Sequence, residues 1–173
     1  METPKIIVVT GRPGAGKTTL AQRLSAVLRL PVISRDQLKE GFASTHGLAH
    51  AELPPDTNRT VTETFFAVIS ILVDNKVSFI AEAAFQQKVW APKLTEIAQR
   101  ASIRLIICES SEAEIQSRIG RRLREDPEHG RLHGVAAYGP YEAPKIDSPT
   151  MTVDTSLNYR PSILEIVSFI KTA

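Results

Sequence analysis

Gly11-Arg12-Pro13-Gly14-Ala15-Gly16-Lys17-Thr18, followed by Thr19, matches the loop pattern G-x-x-x-x-G-K-[ST]. The run Lys5-Ile-Ile-Val-Val-Thr10 leads into it, and Leu20, Leu24, Val27 and Leu28 follow at helical spacing. Each part of the pattern has a chemical reason. The glycines let the backbone turn tightly, so that successive amide N–H groups point inward around phosphate oxygens. The next helix adds its unpaired N–H groups and the positive end of its dipole. Lys17 reaches the β- and γ-phosphates, and the Thr18 hydroxyl is a ligand for Mg²⁺. Residues 11–19 are therefore the expected nucleotide-binding loop, with ATP and Mg²⁺ as its ligands.

Outward from this loop the chain alternates short β-branched runs with amphipathic ones. Pro31–Ser34, Val77–Ala81, Ile103–Cys108 and Met151–Val153 read as further strands. Val61, Phe65, Val68 and Leu72 mark a helix opened by Thr60-x-x-Glu63 as a capping box. Leu94, Ile97 and Ala101 mark another, with Trp90 beside Pro92 packing at its start. Ser111-x-x-Glu114 caps a helix carrying Ile115, Ile119 and Leu123. Pro161 precedes a last helix with Ile163, Ile166, Val167 and Ile170. Parallel strands need crossovers, so this alternation predicts one α/β domain over residues 1–173. The expected architecture is a three-layer α/β/α sandwich around a five-stranded parallel sheet. Ala43–Pro55 and His129–Pro149, rich in Gly, Pro and His, read as loops over a site.

Composition removes other classes. Of 173 residues, 42% are hydrophobic and 23% charged, which is the mix of a globular domain and not of a disordered chain. The longest apolar run, Phe65–Val73, is broken by Ser70 and falls far below the ~20 residues of a membrane span. A net charge of +2 is too small for a general nucleic-acid binder, and the excess is local to Arg118–Arg131. One cysteine, Cys108, permits no internal disulfide, and a strand starting by Lys5 leaves no room for a secretory signal; both suit the cytoplasm. Asn75-Lys-Val-Ser78 has Ser where the guanine-recognising N-K-x-D motif needs Asp, which argues against a GTPase.

The chain resembles the small P-loop kinases that phosphorylate hydroxyls, a group with AAA-type and zeta-toxin-like members. It includes polynucleotide 5′-kinase domains, chloramphenicol phosphotransferase, and gluconate and adenylylsulfate kinases. Beyond the loop, the resemblance rests on Ser34-Arg-Asp36-Gln-Leu-Lys39, Phe79-Ile-Ala-Glu82-Ala-Ala-Phe85 and Arg118-Ile-Gly-Arg121-Arg122. Pro140-Tyr-Glu-Ala-Pro144 and Thr152-Val-Asp154-Thr155 extend it to the last strand. It implies transfer of the γ-phosphoryl group of Mg·ATP to an acceptor hydroxyl, under an arginine-bearing lid at about residues 118–134.

The site residues follow from position and this resemblance together. Asp36, at the carboxyl end of the second strand, faces the crevice of an open parallel sheet and is the expected base for the acceptor hydroxyl. Its bland reading is a helix N-cap. Lys39, a turn further on, reads as an acceptor ligand or a solvated lysine, and Arg35 as a weaker acceptor ligand. Glu82 ends a buried strand, where a carboxylate needs a cation, a water-held Mg²⁺ or a salt bridge. Arg118 and Arg122 share a helix face with Arg121 and are the expected catalytic charges over the transferring phosphoryl; their alternative is a solvated face paired with Glu114 or Glu125. His129 and His133 are too isolated for a zinc site, Cys108 reads as a buried apolar group, and Tyr138 and Tyr141 as adenine platforms or loop anchors. Ala43–Arg59 has one Arg, no Lys and no aromatic residue, so it favours a small-molecule acceptor over a polynucleotide. A regulatory ATP-binding module acting through a protein partner is the alternative of a different class.

Overall fold

The computed structural model describes residues 3–48, 52–125 and 141–172. Its elements run β1 (Lys5–Gly11), α1 (Lys17–Leu28), β2 (Val32–Ser34), α2 (Arg35–His46), α3 (Thr57–Asp74), β3 (Phe79–Glu82), α4 (Gln87–Ile97), β4 (Ser102–Glu109), α5 (Glu112–Glu125), β5 (Thr150–Asp154) and α6 (Ile163–Lys171). The five strands form one sheet in the order β2-β3-β1-β4-β5, with every neighbouring pair parallel. This is the expected α/β architecture.

The central strand explains the layers. Ile6 and Val8 of β1 face Phe65, Ile69 and Val73 of α3 and Trp90 and Leu94 of α4. Ile7 and Val9 face the opposite way, into Leu20 and Leu24 of α1 and Ile166 and Ile170 of α6. A strand buried on both faces carries apolar residues at consecutive positions, which is why Ile6–Val9 shows no alternation. Among the described residues no helix is long and apolar enough to cross a membrane.

Several local expectations are corrected. Ser34, not Asp36, caps α2: its Oγ accepts from the Gln37 amide at 3.5 Å, and Asp36 lies in the first turn. The helix continues to His46, into the stretch read as loop, and ends at Gly47 with φ of 62°. Helix α3 starts at Thr57, so Thr60 sits inside it and donates to the Asp56 carbonyl at 3.3 Å; Thr60-x-x-Glu63 is no capping box. Its buried stripe is Val61, Phe65, Phe66, Ile69 and Val73, with Val68 and Leu72 on the flanks. Helix α4 begins at Gln87, well before Pro92, which lies on the exposed side where solvent can reach the backbone it leaves unpaired. Val27 is exposed on α1, and Val77 precedes β3, which starts at Phe79. Ser111 does cap α5, accepting from the Glu114 amide at 3.3 Å.

The buried Thr10 hydroxyl, one residue before the glycine loop, joins three segments. It accepts from Trp90 Nε1 at 3.0 Å, lies 2.8 Å from the Tyr141 hydroxyl, and donates to the Ala83 carbonyl at 2.9 Å. Its hydrogen-bonding capacity is thereby met within the protein. Phe65, Phe66, Phe85 and Trp90 pack around this node with ring centroids 5.2–5.8 Å apart. Thr10→Val should destabilise the fold by about 1–3 kcal/mol, chiefly by leaving Trp90 Nε1 unmet, whereas Thr10→Ser should cost little. Urea denaturation of both variants measures the difference.

Candidate active site

The loop between β1 and α1 closes against β4. Gly11 has φ of 146°, and a Cβ there would stand 2.3 Å from the Cys108 carbonyl oxygen, so only glycine permits the approach. Gly16 holds the N-cap of α1 in the left-handed region (φ 76°), and no side chain caps that helix. Its first-turn amides are therefore available to an anion. Lys17 is 6% exposed, and its ammonium donates to the Arg12 carbonyl at 3.0 Å, lying across the loop. Thr18 and Thr19 are exposed at the first turn of α1. Arg12 pairs with Glu112 of α5 at 2.8 Å on the surface, and Pro13 is partly exposed beside it.

Thr155, just beyond β5, anchors the far side of the loop. Its hydroxyl lies 2.9 Å from the Ala15 carbonyl and 3.1 Å from that of Glu109, and its amide donates to Glu109 at 2.8 Å. Arg118 completes this node. Its Nε donates to Glu114 at 2.8 Å, Nη1 to the Gly14 carbonyl at 3.3 Å and to Thr155 Oγ1 at 3.2 Å, and Nη2 to the carbonyls of Thr155 and Ser156. Every donor of the guanidinium thus has a protein acceptor, and the side chain braces the loop from below. The Glu114 pairing expected for a basic helix face is present as well. Thr155 closes a stretch quoted for the family resemblance, but neither its role nor that of Thr10 was read from the sequence, because a single threonine has no periodic or spacing signature that names its partners.

At the other end of the crevice, β2 and β3 bring their last residues side by side, with Ser34 in register with Glu82. Glu82 is 1% exposed; Oε2 accepts from the Ser34 hydroxyl at 2.7 Å, while Oε1 is buried without a hydrogen-bond partner. Burial pushes its carboxyl above the usual carboxylate range, against the pull of Lys17 and Arg122 and the Ser34 hydrogen bond; the Asp36 charge adds to the rise. Lys17, Asp36 and Arg122 therefore each lie within electrostatic reach of Glu82. An orphaned oxygen of this kind suits a cation or a water held by one. A carboxylate oxygen and the hydroxyl of Thr18 are the hard donors that Mg²⁺ takes, an ion bound through few protein ligands together with phosphates and waters. Among the described residues no cluster of three His, Cys, Asp or Glu could hold a metal alone.

Arg35 and Lys39 lie on α2, and Arg35 reaches across to α3. Arg35 Nη1 is 3.4 Å from Asp36 Oδ1, and Nη2 donates to Asn58 Oδ1 at 2.8 Å. Lys39 is 6% exposed, so the solvated-lysine reading is set aside; burial, then Arg35, lower its pKa and Asp36 opposes them. Arg121 and Arg122 are exposed on α5. Tyr141 is the loop anchor at Thr10 rather than an open platform. Burial pushes the Cys108 thiol up to about 12, so it remains a neutral packing group. Tyr138, His129, His133, Arg131 and the lid beyond residue 125 lie outside the described residues.

A parallel sheet and a glycine loop feeding a helix N-terminus make up a P-loop nucleotide-binding fold, with Glu82 at the end of β3 and Asp36 just past β2. A family model described as an AAA domain matches residues 6–138, and the chain belongs to that family. Cytidylate kinase of Pyrobaculum islandicum is 36% identical over 62 residues, 32% of this chain and 34% of that protein. The chain thus spans about a third of the length of the curated relatives it matches, or less. A candidate kinase from Chloroflexus aurantiacus superposes with a TM-score of 0.79 at 25% identity, over 98% of this chain and 96% of that one. The APS kinase of Mycobacterium tuberculosis, in a complex with AMPPNP and APS, shares the fold with a TM-score of 0.64 at 17% identity over 99% and 100%. The likeness to small P-loop kinases read from the sequence is borne out.

Glu82 yields a test by pH. Its folded carboxyl holds a proton to higher pH than the unfolded chain does, so the associated stability is present below the ordinary value of 4.5 and lost as pH rises through the folded value. Glu82→Gln has no proton to lose. The melting temperature of the variant relative to the parent should rise from pH 4 to pH 8; a pH-independent difference would show that the carboxyl is not strained by burial.

Proposed function

We propose that this protein transfers the γ-phosphoryl group of Mg·ATP to a hydroxyl of a small-molecule acceptor. One observation carries the reading: Glu82, at the end of β3, lies within electrostatic reach both of Lys17, where the glycine loop enters α1, and of Asp36 in the first turn of α2. Nucleotide phosphates lie against the loop amides of residues 11–16 and the start of α1, including Thr18 and Thr19, with Lys17 at the β- and γ-oxygens. Mg²⁺, held by Thr18 and through water by Glu82, supplies neutralising charge at the phosphates when bound.

Asp36 receives the acceptor hydroxyl. The hydroxyl oxygen forms a bond to the γ-phosphorus as the bond to the β,γ-bridging oxygen breaks, the electron pair leaves on ADP, and the proton passes to the Asp36 carboxylate. Arg122, whose charge reaches Glu82, lies on the helix that leads into the expected lid and covers the transferring group. Arg118 acts through the loop it braces, keeping Gly14 and Ala15 in place. Catalysis on this account is positioning and electrostatics, with little covalent work for the protein.

The local likeness to cytidylate kinases favours a second reading, in which the acceptor is the phosphate of a nucleotide. Asp36 separates the two, since an ionised phosphate oxygen needs no base. ADP release should be slow from Mg·ATP alone and accelerated by the true acceptor, screened across nucleosides, nucleotides, sugars, hydroxylated antibiotics and oligonucleotide 5′-ends. Lys17→Ala should abolish release and weaken nucleotide binding. Asp36→Asn should bind Mg·ATP normally by calorimetry yet transfer ~10²–10⁴-fold more slowly. Native-rate transfer by Asp36→Asn rejects the hydroxyl mechanism and leaves the phosphate acceptor; release that responds only to a partner protein points to the regulatory module.

A further inference from the structure

A groove of about 520 Å³ runs between α3 and α4, and the described residues that line it all belong to those two helices. Its volume falls within the ~300–1,000 Å³ of small-molecule sites. Lys17, Asp36, Glu82 and Arg122 are not among its lining residues, so the groove stands apart from the nucleotide site. Phe66, Ala67, Val89 and Pro92 form its apolar part. The Phe66 ring is stacked on Phe85 with centroids 5.6 Å apart and stands edge-on to Trp90 at 5.7 Å. It therefore gives the groove a packed floor.

The charged rim is uneven. Lys88 and Lys93 come from α4 and Glu63 from α3; all three are exposed, and among the described residues none of them is ion-paired. Lys93 turns its ammonium over the Phe66 ring, 5.7 Å from the centroid, so a positive charge is held against the apolar floor. Lys88 lies in the first turn of α4, whose N-terminus no side chain caps. A cation there opposes the helix dipole, whereas an anion beside it is favoured by both. Two lysines against one glutamate leave a single positive charge in excess.

We propose that this groove binds a small organic monoanion, a carboxylate with an apolar body, at a site separate from the nucleotide. The body fills the space against Phe66, Ala67, Val89 and Pro92, and the carboxylate lies toward Lys88 and Lys93. A single excess charge matches a carboxylate rather than a doubly charged phosphate ester, and Glu63 disfavours further negative charge. The inference does not rest on phosphoryl transfer, since no residue of that mechanism takes part.

The test uses 4-phenylbutyrate, with 4-phenylbutanol and 4-phenylbutylamine as its neutral and cationic counterparts, titrated by calorimetry into the protein with and without Mg·ADP. Phenylbutyrate should bind at least tenfold more tightly than either counterpart, and Mg·ADP should leave its affinity unchanged. Lys88→Gln and Lys93→Gln should each weaken it about threefold, in the range of exposed ion pairs, and together about tenfold. Glu63→Gln should strengthen it by a similar factor to either single lysine substitution. Ala67→Phe, which fills the groove without altering charge, should abolish binding. All four positions are exposed, and circular dichroism checks that each variant folds. In ¹⁵N–¹H spectra of the parent, the ligand should shift amides of residues 62–70 and 88–93.

The inference is overturned if the alcohol or the amine binds as tightly as the acid, or if the double lysine variant and Ala67→Phe bind it like the parent. Shifts centred on the glycine loop, or competition with Mg·ADP, would move the ligand to the nucleotide site and reject a separate groove. Absence of heat and of shifts at millimolar phenylbutyrate would reject it as well. Tighter binding of 4-phenylbutyl phosphate than of the carboxylate would overturn the assignment to a monoanion.

Discussion

The approach of the Gly11 backbone to the Cys108 carbonyl is the contact on which the site depends. The parallel ladder between β1 and β4 continues without a break to that pair, so the loop departs from a strand held on both edges. Amide groups can surround a phosphate only if their peptide planes keep their directions, and no side chain can substitute for a misplaced N–H. Thr10 fixes the strand end through Trp90, Tyr141 and Ala83, while Thr155 and Arg118 hold Ala15 and Gly14 from the opposite side. The loop and the strand end that feeds it are thus braced by residues from five other segments, none adjacent to the loop in the chain.

Charge is the second organising term. Glu82 is buried where desolvation opposes its ionisation, and the cations that favour ionisation, Lys17 and Arg122, come from the loop and from α5. Ser34 satisfies one carboxylate oxygen, and the other is buried without a hydrogen-bond partner. A site assembled from opposed charges at low dielectric strengthens each interaction with a substrate, and it does so without reorganising when charge moves. The same principle extends to α2, where Lys39 is buried and Arg35, half-buried, pairs with Asp36.

Arg118 shows how a shared helix face conceals different duties. Arg118, Arg121 and Arg122 are equivalent by spacing, yet α5 lies so that Arg118 turns beneath the glycine loop while the Arg122 charge reaches Glu82. Which arginine serves as brace depends on where β5 delivers Thr155, and that strand is far along the chain. Lys39 presents a similar case: its spacing of one helical turn from Asp36 was readable, but its burial was not.

The sequence by itself determined the loop, the alternation of strands and helices, and the placing of Asp36 and Glu82 at strand ends. These are local properties: a nest of amides needs glycines at set spacing, and a doubly buried strand needs an unbroken apolar run. Helix starts at Ser34, Asp56 and Gln86 were misread or missed, since competing caps within a few residues are decided by packing. Only the tertiary structure decided the Thr10 and Thr155 nodes, the Ser34–Glu82 pair and the Arg35–Asn58 link. Each joins residues far apart in the chain, and a single hydroxyl or guanidinium carries no pattern that names its partner. Local geometry is written in neighbouring residues, whereas the pairing of buried polar groups exists only once the sheet has brought distant strand ends together.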